Sequence, residues 1–130
     1  MHKNYFAASA ILGGLAVAAG AFGAHGLESI TKDEKILHGF RTGVEYQMYH
    51  ALGILAVGLL AMHGASTAGN VAGWSFLLGT LLFSGSLYAL VLTGNTKLGM
   101  ITPIGGVLFI VGWVALAAAA FKATPMAKGL

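Results

Sequence analysis

The sequence has very little charge and no cysteine. Only 11 of its 130 residues are Asp, Glu, Lys or Arg, which is 8%, whereas a soluble domain averages about 25%. Apolar residues make up 57%, and the mean hydropathy is +0.81. This composition excludes a soluble enzyme, a nucleic-acid-binding module and a disordered tail, and it indicates a membrane protein. The absence of cysteine excludes disulfides, iron–sulfur clusters, zinc–thiolate sites and cysteine-linked lipid anchors.

The few charges lie mainly beside apolar stretches. The net charge is +3, but the seven basic residues are scattered along the chain instead of forming the basic face of a nucleic-acid binder. No formal charge occurs between Glu45 and Lys97. Membrane proteins place their charges in this way. We therefore expect membrane lipids as partners, with a homo-oligomer or a larger membrane complex as a further possibility, and no nucleic acid.

Four apolar stretches are each long enough to cross a bilayer, which takes about 20 helical residues. The second and third stretches are followed by short loops, which force neighbouring helices to run antiparallel. The sequence thus predicts an all-α fold, an up-down-up-down four-helix transmembrane bundle forming one domain over residues 1–130. The predicted spans are approximately 5–24, 40–62, 71–92 and 102–121. Thr102 and Pro103 are typical of a helix start, with Thr102 as the N-cap of the fourth span.

This topology divides the loops between two faces. Side A holds both termini and the loop after the second span, and side B holds the other two loops. Basic residues favour the cytoplasm, and the two sides are nearly balanced. Side A carries Lys3, Lys122 and Lys128, and side B carries Lys32, Lys35, Arg41 and Lys97. This count slightly favours an orientation in which side B faces the cytoplasm.

The first span is rich in small residues. Ala10, Gly14 and Ala18 form one small-xxx-small series, and Ala16, Gly20 and Ala24 form another. Such series allow membrane helices to pack closely, so we predict that this span is the centre of the bundle. A dimer interface is the alternative. The same stretch resembles a signal peptide, but its apolar run is longer than usual, and we interpret it as a retained helix.

The first loop predicts a short helix of its own. Thr31 and Glu34 fit a capping box, which marks a helix start. We expect a short interfacial helix that turns into the second span at Gly39 or Gly43. The alternative is one long tilted helix that continues to Met62.

Polar side chains gather in the side-B half of the predicted bundle. The end of the first span, the start of the second, the end of the third and the start of the fourth all contribute, and Thr80, Ser84 and Tyr88 form one stripe on the third. The candidate binding residues are His25, Arg41, Glu45, Tyr46, Gln47, His50, Ser84, Ser86, Tyr88 and Thr102.

A helical wheel separates the polar residues of the second span from the apolar ones. With Arg41 at 0°, Glu45 lies at about 40° and His50 at about 180°, whereas Ala51 lies near 280°. Gln47, near 240°, is the exception. The wheel predicts that Glu45 faces the bundle interior, where Arg41 or a Tyr or His side chain donates hydrogen bonds to it.

Two interpretations of this polar cluster remain open. Arg41 and Glu45 could form an interfacial ion pair that sets the depth of the span. Alternatively, Glu45, His50 and His25 could form a ligand or proton site. We expect one cavity open to side B, lined by His25, Glu45, Tyr46, His50, Ser84 and Tyr88. Its polar groups would either bond to one another as a lock that holds the helices, or remain free for a ligand.

Metal and cofactor chemistry have weak support. His25 and His50 lie at different depths, which argues against bis-histidine haem. A metal site of His25, Glu45 and His50 lacks any recognised ligand spacing. Catalytic signatures are absent. We expect no metal, no cofactor and no enzymatic activity.

The order of several motifs resembles a known family. These are Gly20-Ala-Phe-Gly-Ala-His-Gly26, Gly43-Val-Glu-Tyr-Gln-Met-Tyr-His50, Leu82-Phe-Ser-Gly-Ser-Leu-Tyr88, Thr102-Pro-Ile-Gly-Gly106 and Gly112-Trp113. Together they are similar to the YgdD/YwdK-like small membrane proteins, the domain of unknown function 423. The resemblance implies a four-helix integral protein of the bacterial cytoplasmic (inner) membrane and no established activity.

The most favoured function is a structural, accessory or membrane-stabilising protein. The alternative is an oligomeric transporter or binding protein for a small polar solute, a proton or a lipid headgroup. Four closely packed helices leave little room for a pathway within one chain. A side-A half that is packed dry favours the structural function.

Overall fold

Four long helices make up most of the chain. A computed structural model describes residues 2–123, which include α1 (His2–His25), α2 (Glu34–Ala61), α3 (Thr67–Thr93) and α4 (Thr102–Lys122). Each helix is long and apolar enough to cross a membrane. The all-α prediction with four spans is therefore confirmed.

Polar residues and glycine set the ends of the helices. Asp33 and Ser66 cap the starts of α2 and α3, where their side chains accept hydrogen bonds from backbone N–H groups. Gly94 ends α3 in the left-handed conformation, with φ of 72°. Short 3₁₀ turns, Leu27–Ser29 and Thr96–Met100, lie in the two side-B loops.

The predicted interfacial helix and its elbow are wrong, since α2 runs without a break from Glu34 to Ala61. Gly39 and Gly43 do not interrupt the helix. A Cβ at Gly43 would lie 3.1 Å from the Tyr88 ring, and one at Gly39 would lie 3.4 Å from Leu87. Both glycines let α2 pack against α3, and the helix continues through them without a break.

The first helix lies at the edge of the bundle, so the prediction that it is the centre is wrong. Only Ser9 and Ala16 are buried in α1, whereas ten residues are buried in α2. Gly20 approaches Val44 of α2, but Gly14 has no neighbouring atom that a Cβ would meet. One small-residue series therefore packs inside the chain, and the other, which includes Gly14, faces outward.

The helices follow one another around the bundle, each packing mainly on its chain neighbour. Near side B, Leu27, Leu37, Phe40 and Val91 form one buried cluster. Nearer side A, a second cluster consists of Ile54, Val57, Ala72 and Phe76. Large apolar side chains cover the outside of the helices, as expected for a surface in contact with lipid.

The starts of α1 and α3 and the ends of α2 and α4 meet on side A. A pocket of about 140 Å³ on this side has walls from all four helices, including Tyr5, Val57, Asn70 and Ala119. Tyr5 donates a 2.5 Å hydrogen bond to Asn70 Oδ1 there. His2 and Ala123, the ends of the described chain, are thus on the same face, as the topology predicts.

Candidate functional site

His50 is the centre of an aromatic cluster in the middle of the bundle. The residue is 3% exposed, and its ring stacks on Phe109 of α4 with ring centroids 3.5 Å apart and planes 6° apart. Phe76 of α3 packs against the same ring at 5.4 Å. Tyr46, one turn earlier in α2, stacks on Phe83 of α3 at 4.7 Å. The cluster joins α2, α3 and α4.

Both ring nitrogens of His50 have partners, and these partners define its protonation. Nδ1 lies 2.6 Å from the carbonyl oxygen of Tyr46, which can only accept. Nε2 lies 3.0 Å from Nε1 of Trp113, which can only donate. His50 is therefore the neutral tautomer with its proton on Nδ1. No donor or acceptor of this ring is left for a ligand.

Gln47 connects three helices. Its Nε2 donates a 2.8 Å hydrogen bond to the carbonyl of Leu12 in α1, and its Oε1 accepts one of 2.7 Å from the hydroxyl of Tyr88 in α3. One turn from Tyr88, Ser84 donates a 2.6 Å bond to the carbonyl of Gly43 in α2. The stripe predicted on α3 faces the bundle interior, and its last two members hold helices together.

Ser86 and Thr102 join the other pair of helices at side B. Their hydroxyl oxygens are 2.5 Å apart, and Ser86 also donates to the carbonyl of Phe83. The prediction that Thr102 is the N-cap of α4 is wrong, because Ile101 occupies that position. The Thr102 hydroxyl bonds to α3, which explains why it does not cap its own helix.

Thr80, the first member of the stripe on α3, has a buried hydroxyl without a partner among residues 2–123. The side chain is 3% exposed. It lies beneath a lateral groove between α1 and α3 of about 510 Å³, whose walls include Leu12, Leu15, Leu81 and Gly85. A buried hydroxyl without a hydrogen bond reduces stability.

Replacing Thr80 by valine is expected to stabilise the protein. Valine has nearly the same shape and removes the unpaired hydroxyl, so we expect a gain of about 1 kcal/mol in the free energy of unfolding. Reversible unfolding in mixed micelles measures it. Thr102→Val is the matched control and should destabilise, because the Thr102 hydroxyl is bonded. A loss of stability in Thr80→Val would show that the hydroxyl has a partner.

Arg41 and Glu45 do not face the bundle interior, so the prediction for Glu45 is wrong. Both side chains are exposed, and within residues 2–123 the structure has no hydrogen bond or ion pair to Glu45. They lie in a groove of about 310 Å³ between α1 and α2, which we name the side-B groove. Its lining residues are Gly20, Gly23, Ala24, Glu28, Phe40, Arg41, Val44 and Glu45.

The predicted single cavity is also wrong. Glu45 lines the side-B groove, and Ser84 and Tyr88 line the lateral groove. His50 is enclosed by aromatic rings. His25 is exposed at the end of α1. Among the described residues no three His, Asp or Glu side chains converge as a metal site would require.

The wheel placed His50 correctly in the interior, but it failed for Arg41 and Glu45 because it took the whole polar arc of α2 as the buried arc. Gly43, Gln47, Ile54 and Gly58 are buried, and this face is centred near the angle of Gln47, the apparent exception. Small residues decide which face of a membrane helix packs. The charged arc, near the end of the span, can instead reach the headgroup layer.

Four residues of the observed cluster are not among the site residues that the sequence predicts, namely Phe76, Phe83, Phe109 and Trp113. Phe109 stacks on His50, and Trp113 donates to it. The sequence does contain a signal for Trp113. It lies 11 residues after the start of α4, about 16 Å along the helix, and a tryptophan N–H at that depth needs an acceptor.

Four membrane-spanning helices joined by interior hydrogen bonds and an aromatic cluster define a small polytopic integral membrane protein. The chain belongs to a family described as "Protein of unknown function (DUF423)", whose family model matches residues 19–106. The resemblance in the sequence motifs is thereby confirmed.

Relatives from several bacteria are similar over most of their length. The UPF0382 membrane protein YwdK of Bacillus subtilis (strain 168) is 50% identical over 122 residues, covering 92% of this chain and 98% of the relative. A UPF0382 membrane protein of Haemophilus influenzae is 46% identical over 122 residues, covering 94% and 97%. UPF0382 membrane protein SERP0230 of Staphylococcus epidermidis is 51% identical over 110 residues, covering 83% and 87%. No solved structure matches the chain significantly.

Proposed function

We propose that this protein is a structural or accessory component of the membrane, which acts through its outer surface as a rigid four-helix body. The proposal rests on the hydrogen bonds that the polar groups inside the bundle make. His50, Gln47, Ser84 and Tyr88 all bond to neighbouring helices or to their own backbone. Polar groups used in this way lock helices together and leave few donors or acceptors for a solute.

The shape of the interior also supports a structural function over transport. The side-A pocket and the side-B groove have no lining residue in common. Between the two ends of the bundle lie Ile54, Val57, Ala72 and Phe76, each 0–1% exposed. A polar solute would have to displace these side chains to cross the bundle.

We further propose that the protein resides in the cytoplasmic membrane, since α-helical bundles are typical of that membrane and β-barrels of the bacterial outer membrane. For its orientation, we propose that side B faces the cytoplasm. Arg41 is exposed instead of being drawn into the bundle, so it adds to the basic residues of side B. Lys128, a basic residue counted for side A, lies outside the described residues. Reporter fusions to each loop test the orientation.

Reconstitution tests the structural function against transport. Proteoliposomes that contain the purified protein should show no flux of protons or small polar solutes above that of empty liposomes. A second measurement is the size of the native assembly of the chromosomally tagged protein in mild detergent, followed by mass spectrometry. A stable homo-oligomer or larger complex supports the accessory role. Solute flux that depends on the protein would refute the proposal in favour of a transporter.

A further inference from the structure

Glu45 carries an exposed carboxylate in the side-B half of a helix that is long and apolar enough to cross a membrane. Arg41 precedes Ala61 by 20 residues along α2, a distance of about 30 Å, which equals the thickness of the hydrocarbon core. Glu45 lies one helical turn deeper and is exposed. A carboxylate at this depth is costly unless a partner of opposite charge is present. Glu45 has no hydrogen bond or ion pair within residues 2–123, although Arg41 lines the same groove. Its carboxylate is therefore free to bind a cationic group of the headgroup layer.

The side-B groove combines charges of both signs on an apolar floor. Glu28, from the 3₁₀ turn after α1, and Glu45 supply two carboxylates, and Arg41 supplies one guanidinium. Three of the chain's 11 charged residues thus share one groove. The end of α1 also lies in its wall, where the helix dipole is negative and favours a cation.

Glycine shapes the wall of this groove. A Cβ at Gly23 would lie 2.8 Å from the ring of Phe40, so a larger residue at this position would displace this buried ring. Phe40 and Val44 form the apolar part of the groove. The groove therefore presents charged groups near the headgroup layer and apolar surface beside them, an arrangement that suits an amphipathic ligand.

We propose that the side-B groove binds the headgroup of a zwitterionic phospholipid with a primary amine, of which phosphatidylethanolamine is the simplest. The ammonium group has three donors and would bond to Glu28 and Glu45. The phosphate would accept the paired N–H donors of Arg41, which match its geometry. One ligand then pairs all three charges.

Other phospholipid headgroups fit this groove less well. The quaternary ammonium of phosphatidylcholine cannot donate a hydrogen bond, and it is recognised by aromatic cages, whereas the one aromatic ring in the groove, Phe40, is 6% exposed. Phosphatidylglycerol has no cation to offer Glu45. We therefore expect selectivity for the ethanolamine lipid over both at equal acyl-chain length.

Native mass spectrometry of the full-length protein with these three lipids tests the proposal. The wild type should retain phosphatidylethanolamine more strongly than phosphatidylcholine. Glu45→Gln should weaken retention about tenfold, the effect of losing one charge-assisted hydrogen bond, and should remove the preference. Glu34→Gln is the matched control, because Glu34 is also exposed on α2 but lies outside the groove. It should behave as the wild type.

Two further measurements separate the other outcomes. The melting temperature of Glu45→Gln without added lipid should equal that of the wild type, because Glu45 makes no hydrogen bond or ion pair within residues 2–123. Soluble glycerophosphoethanolamine should bind far more weakly than the lipid. If glycerophosphoethanolamine binds as strongly as the lipid, the ligand is a soluble zwitterion and the proposal is overturned. Equal retention of the ethanolamine and choline lipids by the wild type, or equal losses in Glu45→Gln and Glu34→Gln, would refute it.

Discussion

Replacing Gly105 by alanine is expected to push two helices of the bundle apart and to destabilise it strongly. A Cβ at Gly105 would lie 2.5 Å from the backbone nitrogen of Phe83 and 2.8 Å from the carbonyl oxygen of Gly79. These are backbone atoms of α3, which cannot rotate away as a side chain can. The methyl group must separate α3 from α4, and we expect a loss of about 3 kcal/mol in the free energy of unfolding.

The neighbouring residue provides the control for this prediction. A Cβ at Gly106 would meet only the Phe83 ring, at 4.0 Å, which is ordinary van der Waals contact. Gly106→Ala should therefore be neutral, or stabilise by up to about 1 kcal/mol through its higher helix propensity. Unfolding of both variants in mixed micelles measures the difference. If the two variants have the same stability, the close approach of α3 and α4 at Gly105 is wrong.

Replacing His50 by phenylalanine should reduce the free energy of unfolding by about 2 kcal/mol, because it removes two hydrogen bonds of about 1 kcal/mol each. Phenylalanine can stack on Phe109, but it cannot accept the hydrogen bond from Trp113. The Trp113 N–H would then lack an acceptor. This loss of stability would show that His50 holds the helices together. Replacing a histidine that only binds a ligand would leave the fold intact.

A double-mutant cycle separates the hydrogen bond from the packing. Trp113→Phe leaves Nε2 of His50 without a donor, and the double variant leaves neither group unpaired. We therefore expect the double variant to lose less stability than the two single losses combined, by about 1 kcal/mol, the scale of hydrogen bonds within membranes. Additive losses would contradict a direct bond between His50 and Trp113.

Much of the fold follows from the sequence because the bilayer restricts it. Four apolar stretches of sufficient length must become helices, since a chain in lipid has to satisfy its own backbone hydrogen bonds. The short loops at Ser66 and Gly94 then make neighbouring helices antiparallel. The spacing of Thr80, Ser84 and Tyr88 also placed one polar stripe correctly, because a series at every fourth residue defines one face of a helix.

The face of α2 that is buried could not be obtained from polarity. Arg41 and Glu45 form a polar arc that resembles an interior face, but they lie near the membrane boundary, where charged groups can reach headgroups or water. Gln47 is isolated on the wheel, yet it bonds to both Leu12 and Tyr88. Its partners lie on other helices, and spacing within one helix does not contain that information.

The sequence by itself thus determined the class of protein, the number of spans and their antiparallel order, because length and hydropathy alone decide insertion in a bilayer. Only the tertiary structure decided which small residues pack. Gly43 and Gly105 contact neighbouring helices, whereas Gly14 faces outward, although all three are glycines within apolar helices. It also decided that His50 is enclosed and Glu45 is exposed. Close packing depends on the complementary shape of two surfaces, and each helix carries only one of them.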